Sequence, residues 1–340
     1  MSSSYDGSTA YGTTLAYDIF NMSNLITNSM QNRFYFKEKW FIGFHDRSQM
    51  SQVIINNSTD SIPDFSSYNI TVRPAISIGF GRVEWVQFAR QAIDLERSLS
   101  SSNRLNTTFT DEDRTILSNK IAMIRNRRYY DTRLGRIDQL QALDSISQNE
   151  GMITSPDITY FSQMQDAFLY SYNITRLSGF RHQLGATQGV AYTDDVSGVD
   201  LTSYAFYLFE YFLPQSYALQ HNFRVSLIGG IDSDASGNDS YPAWADAMYT
   251  LGFYPTTRTH IELVASAGMN IESDLGYIYG ASIIGYYYIS PRFRFNLLAS
   301  FQDGENYRAH NFSHVAVSNS NRFGKLFDYS FSAGVSFEIF

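Results

Sequence analysis

Through the last third of the chain apolar residues return at every second position. Residues 329–340 read YSFSAGVSFEIF: Tyr329, Phe331, Ala333, Val335, Phe337 and Ile339 alternate with Ser330, Ser332, Gly334, Ser336 and Glu338. The same period of two runs through 217–228, 243–254, 258–268, 275–289 and 291–302. It predicts β-strands with one apolar face. That face carries no Asp, Glu, Lys or Arg in these six segments, and its one blemish is His221. The opposite face holds Arg224, Asp246, His260, Glu262, Arg292, Arg294, Asp328 and Glu338.

The connections alternate as well. LPQS (213–216), PTTR (255–258) and the Ser290–Pro291 corner are tight, whereas 230–242, 270–276 and 303–325 are long and polar. Short turns on one rim and long loops on the other are the rhythm of an up-and-down antiparallel meander. Upstream, 201–213, 182–193, 166–177, 69–82 and 33–45 alternate less cleanly, with Glu38 on the apolar side of the last, and 9–20 is weak. The expectation is about twelve strands. Segment 69–82 adds Arg73 to the polar face.

Residues 83–150 follow a different period. Val83, Val86, Ala89, Ala92, Ile93 and Leu99, then Ile116, Ile121, Ile124, Leu134, Ile137, Leu140 and Leu143, fall at helical spacing. Thr110 with Asp113 three residues on predicts a helix start. The chain therefore divides into first strands (1–82), a helical insert (83–150) and remaining strands (151–340).

Composition asks what covers the apolar faces. Aromatics are dense, with 25 Tyr and 26 Phe, and charged residues make up 17% against roughly 25% in ordinary soluble domains. Mean hydropathy is nonetheless negative, and no apolar run approaches the ~20 residues of a spanning helix. Strands of about 10–15 residues exceed the usual five or six. Aromatics bunch beside the short turns: Tyr211 and Phe212, Phe253 and Tyr254, Tyr286 to Tyr288, Phe293. Such a girdle suits a lipid–water interface. Lipid on the apolar faces requires a closed barrel, because an open edge leaves backbone groups unpaired in hydrocarbon.

With terminal Phe340, the alternating strand 327–340 and the turn rhythm of 201–340, the chain resembles the bacterial outer-membrane β-barrel superfamily. The expected fold class is all-β transmembrane: a closed antiparallel meander β-barrel with an α-helical insertion. The resemblance implies an outer-membrane location, a lipid bilayer around the wall, and recognition of Phe340 by the barrel insertion machinery, although Phe340 stands one step out of phase with Ile339 and Phe337. The start, MSSSYDGSTAYG, lacks the basic and apolar regions of an export leader, so an exported form needs one that this sequence does not carry.

On this reading the polar face lines a lumen, and Arg73, Arg224, Asp246, His260, Glu262, Arg292, Arg294, Asp328 and Glu338 are either a solute path or paired charges bracing the wall. Arg125, Arg127, Arg128, Arg133 and Arg136 in RNRRYYDTRLGR are candidates for contact with an anion or partner, or a solvated helix face pairing with Asp131 and Asp138. DSDASGNDS (232–240) begins like a calcium loop, but Ala243 occupies the position that needs Glu. His310, His314, Ser318 and Asn319 lack the spacing of the barrel phospholipases, and Asp194–Asp195 is unspecific. With zero Cys there is no thiolate metal site, and neither metal nor cofactor is implied. A net charge of −8 argues against nucleic acid. The function expected is a passive channel or the membrane component of a transport or secretion assembly. The alternatives are a barrel lipase or protease, and a structural barrel docking a protein partner through 83–150. Counting strands back from the C-terminus places that insert on the long-loop rim.

Overall fold

A computed structural model describes residues 2–6, 19–57, 65–127, 132–149, 153, 156–170, 176–193, 198–271, 274–290, 293–307 and 325–337. The strands are β1 (Ser2–Asp6), β2 (Ile19–Tyr35), β3 (Trp40–Asn57), β4 (Phe65–Trp85), β5 (Leu177–Thr193), β6 (Val199–Pro214) and β7 (Leu219–Ser233). There follow the two-residue β8 (Asp239–Ser240), then β9 (Ala243–Phe253), β10 (Thr259–Ile271), β11 (Leu275–Ser290), β12 (Phe293–Glu305) and β13 (Lys325–Phe337). They form one antiparallel sheet in which each strand pairs with the next, β7 with β9, and β8 adds to β7. Among the described residues no ladder joins β1 to β13.

Register keeps like residues side by side. Ile42 opposes Ile78, Ile78 opposes Leu184, Leu184 opposes Tyr207, and Tyr207 opposes Leu227. Of these Ile42, Ile78, Leu184 and Leu227 are exposed, as are Leu263, Ile283 and Phe331 further along. A row on the other face runs Asn222, Thr250, Val264, Ser282, Ser300, Ser330. Residues from β7 and β9 through β13 line a single cavity of about 640 Å³ on that face. This part of the sheet is thus rolled, polar side inward, with large apolar side chains outward.

Among the described residues four helices lie between β4 and β5: α1 (Gln87–Ser101), α2 (Asp111–Arg125), α3 (Thr132–Asn149) and α4 (Ile158–Tyr170). They share a core of Leu95, Leu99, Leu117, Ile121, Ile124, Leu143, Tyr160, Met164 and Phe168. Thr110 caps α2 as its spacing predicts. Its hydroxyl accepts the Asp113 N–H at 3.2 Å, and the Asp113 carboxylate accepts the Thr110 N–H at 2.8 Å. The insert leaves and rejoins the sheet at one point. Trp85 pairs with Leu177, and the Val86 N–H donates to the Arg176 carbonyl at 3.1 Å. Nearby, Gly81 and Gly179 have φ of +105° and +108°, where a Cβ would meet the Phe180 or Arg82 carbonyl within 2.3 Å.

Several expectations need correcting. Of segment 166–177, residues 166–170 are not strand but the end of α4, which runs to Tyr170; Leu177 opens β5, and 171–175 lie outside the described residues. Phe168 and Tyr170 alternate, but Met164, Ala167 and Phe168 are also spaced three and four apart, and the bundle core takes that stripe. The helical region accordingly extends past 150, and β4 runs past 82 to Trp85. Segment 33–45 spans a turn at 36–39, which holds Glu38. Between the expected strands 33–45 and 69–82, residues 46–57 continue β3, whose polar Asp46–Gln49 run hid the alternation. With one strand fewer downstream of the insert among the described residues, parity reverses. The helices sit on the short-turn rim, beside the turns at 215–218 and 254–258 and the β13 end opposite Phe293. Of segment 9–20, only Ile19 and Phe20 are described, at the start of β2.

Candidate functional site

The inward wall carries three polar clusters. Glu210 on β6 lies between two arginines: Arg181 on β5 is hydrogen-bonded to it, and Arg224 on β7 approaches it at 3.6 Å. Register sets this up, since Arg181 opposes Glu210 and Glu210 opposes Arg224. Asp246 on β9, 2% exposed, accepts from Ser226 Oγ at 3.2 Å and from Tyr307 Oη at 2.6 Å. On β10, His260 Nε2 lies 2.9 Å from Glu262 Oε1. Its ring stacks on Tyr254 at 4.7 Å and faces Tyr286 at 5.3 Å, above which Arg294 sits at 5.3 Å. Closely apposed acids and bases neutralise a wall that would otherwise repel itself.

Of the residues expected on the polar face, Arg73, Arg224, Asp246, His260, Glu262 and Arg294 are there, half-buried or buried. Arg224 and Glu262 border the cavity beside Asn222, Thr250, Ser266 and Gln302. Asp328 stands on β13 opposite Gln302. Arg292, Glu338 and Phe340 lie outside the described residues, as do Asp194, Asp195, His310, His314, Ser318 and Asn319. The periodicity reading did not find Glu210, because "YAFYLFEYFL" is apolar on both faces and masks its one acid.

Part of the expected aromatic girdle faces the other way. Phe253 and Tyr287 point outward, but Phe212, Tyr254 and Tyr288 are buried at 2%, 1% and 6% exposure. Adjacent strand residues point to opposite faces, so only alternate members of each aromatic run can face outward. The exception His221 is hydrogen-bonded at the rim, Nδ1 2.8 Å from Tyr249 Oη and Nε2 2.6 Å from Gln215 Oε1.

The densest chemistry lies where α1 meets the short-turn rim. Gln87, Arg90, Gln91 and Asp94 recur at helical spacing and are all buried; Arg90 and Asp94 meet the rim tyrosines, while Gln91 Nε2 donates to the Phe168 carbonyl of α4 at 2.9 Å. Arg176 fixes the β6–β7 turn, donating to the carbonyls of Ser216 (2.9 Å), Tyr217 and Leu219 (3.0 Å) and to Gln220 Oε1 (2.9 Å). Three guanidiniums then alternate with two phenol rings. Arg97 lies 4.1 Å and Arg90 5.6 Å from the Tyr217 ring centre, and Arg90 and Arg176 each lie 5.0 Å from that of Tyr254. Tyr217 Oη donates to Asp94. Burial, and then the Arg90 charge, bring Arg176 down to about 10, while burial lowers Arg90 against the opposing pull of Asp94. On the same rim Arg258 pairs with Asp166 of α4 and stacks on Tyr170 at 4.2 Å.

The arginine-rich segment 125–136 is not gathered into one site by the described residues. Arg125 is used within the bundle, donating to the Phe168 carbonyl and lying 3.7 Å from that ring's centre. Arg127 is exposed, Arg136 half-buried, Arg133 is in the first turn of α3, and Arg128 falls outside the described residues. In 232–240, Asp234 organises a hairpin turn, accepting from the backbone N–H groups of Ser236 and Asn238, both at 2.9 Å.

No family description matches the chain, and no curated protein does. Among solved structures it is similar to the NanC porin in a rhombohedral crystal form, at 7% identity over 94% of both chains with a TM-score of 0.28. It is also similar to a loop L8 deletion mutant of OmpT, an outer membrane protein of Vibrio cholerae. There the identity is 8%, over 85% of this chain and 94% of that one, with a TM-score of 0.25. A likeness this loose fixes neither solute nor partner.

Proposed function

We propose that this protein spans an outer membrane as a closed β-barrel and provides a narrow passive path for small hydrophilic solutes, with a helical cap on its short-turn mouth. One observation carries the reading. Large apolar side chains stand exposed in register on one face of the rolled sheet, while acids, bases and hydroxyls line a cavity on the other. Water around such an exterior would leave an unusually large apolar surface uncovered, whereas hydrocarbon covers it at no cost. No helix among the described residues is long and apolar enough to cross a membrane, so strands would do the crossing. Closure between the first and last strands follows on this reading, since an edge in lipid forfeits several kcal/mol per unpaired backbone group.

The test is reconstitution of the purified chain into planar bilayers. Discrete single-channel steps are expected, with current reduced by the cap. A chain that stays monomeric in water without detergent would overturn the membrane reading, and a silent bilayer the conducting one. A silent but folded barrel would favour docking of a protein partner, for which the bundle offers the exposed apolar residues Met123, Ile158 and Phe161.

A further inference from the structure

Arg90 is 3% exposed, yet none of its three guanidinium nitrogens has a hydrogen-bond acceptor among the described residues. Its neighbour Arg176, equally buried, is fully engaged with three carbonyls and an amide oxygen. Asp94 does not make up the difference. Its Oδ1 receives Tyr217 Oη, and its Oδ2 lies 3.5 Å from Arg90 Nε in an ion pair without hydrogen-bond geometry. Tyr217 and Tyr254 offer ring faces, which attract the cation but accept none of its N–H groups in line. Glu262, the next carboxylate along the wall, is taken by His260. Three guanidiniums thus converge where Asp94 supplies the opposing charge, and the central one keeps its donors unmet. A guanidinium has five N–H donors arranged for two parallel bonds to one planar or tetrahedral oxyanion, and burying them without acceptors is strongly unfavourable.

We infer that the seam between α1 and the short-turn rim is a binding site for a small oxyanion, a phosphate or carboxylate, gripped by Arg90 with Arg176 and Tyr254 behind it. The ligand comes from solution, because the donors lie under the helical cap, away from the outward apolar belt. The site stands on the geometry of the cap and does not depend on conduction.

The experiment measures unfolding of the full chain in zwitterionic micelles against inorganic phosphate, with chloride at matched ionic strength as control. The wild type is expected to show a saturable rise in melting temperature with phosphate that chloride does not reproduce. Arg90→Gln should weaken apparent phosphate affinity at least about tenfold, through loss of a charge-assisted bidentate contact. Asp94→Asn keeps an acceptor for Tyr217 but removes the competing charge, and should tighten binding at least about threefold. The same saturable response in Arg90→Gln, or none in the wild type, overturns the site. Should Arg90→Gln not fold, Asp94→Asn decides, and affinity no better than wild type overturns it. A rise with micelles doped with phosphatidylglycerol, absent with free phosphate, overturns the solution source in favour of a lipid headgroup.

Discussion

Arg90 and Arg176 share one phenol ring: each guanidinium carbon lies 5.0 Å from the centre of Tyr254. One arginine comes from the first helix of the insert and the other from the residue that leads back into β5, so a rim tyrosine of the sheet ties both ends of the helical cap.

Tyr254 is therefore expected to matter through its ring. Tyr254→Phe keeps both cation–π contacts and should change stability by less than about 1 kcal/mol. Tyr254→Ala removes them and opens a cavity, a loss of about 3–5 kcal/mol. Urea titrations followed by tryptophan emission would measure both, and protease cutting between the helices should accelerate in the alanine variant alone. Equal behaviour of the two variants would show that the ring is not the tie.

Neighbouring positions on β11 should respond oppositely to charge. Ile283 is exposed on the apolar face and Ser282 lines the inner cavity. Near mid-strand, Ile283→Arg should cost roughly 2–4 kcal/mol in a bilayer, whereas Ser282→Arg should fold and alter conductance. Unfolding from vesicles checks the first and planar-bilayer recording the second. Equal destabilisation would place both residues in a closed core instead of a membrane wall.

Because Trp85 and Leu177 are paired neighbours, the insert is in effect a very long hairpin connection. Replacing 87–175 by Asn-Gly, a two-residue turn suited to hairpins, should leave the sheet able to fold and raise conductance by uncovering the mouth. Heat-modifiable migration on gels reports folding. Loss of the folded band would mean that the helices hold the register of the wall.

On the acid side the cap of α2 should weaken first. Hydrogen bonds from the Thr110 backbone and hydroxyl lower the Asp113 carboxyl below its usual 3.8. A carboxylate depressed in the folded state contributes stability that is fully present above its unfolded value and is lost as pH falls through the folded one. An NMR titration of Asp113 should give a midpoint below 3.8 that returns toward it in Thr110→Ala, with fraying of Asp111–Asp113 in parallel.

Much of the wall was legible because period-two alternation sets an apolar outward face against a polar inward one: Leu263 and Glu262 had to part. Thr110 and Asp113 were legible because a helix start needs acceptors for its free N–H groups. The burial of Tyr254 and Tyr288 was not, because in an all-aromatic run either parity could be the outer one until the helices covered one rim. Nor was the stripe of Gln87, Arg90, Gln91 and Asp94. Polar residues on a helix ordinarily mark its wet side, and only the tertiary fold shows that this side is buried, Arg90 and Asp94 against the rim and Gln91 against α4. The α4 residues satisfied two periods at once, and packing against Leu99 and Ile121 chose between them.

The placement of the four helices bears on biogenesis. They hang from the rim that also holds the tight hairpins and the end of β13. In a barrel delivered to the membrane from that side, the segments that must traverse the acyl chains are the opposite-rim connections alone. The bundle, with an apolar core of its own, would fold in the aqueous compartment of departure and remain there throughout assembly.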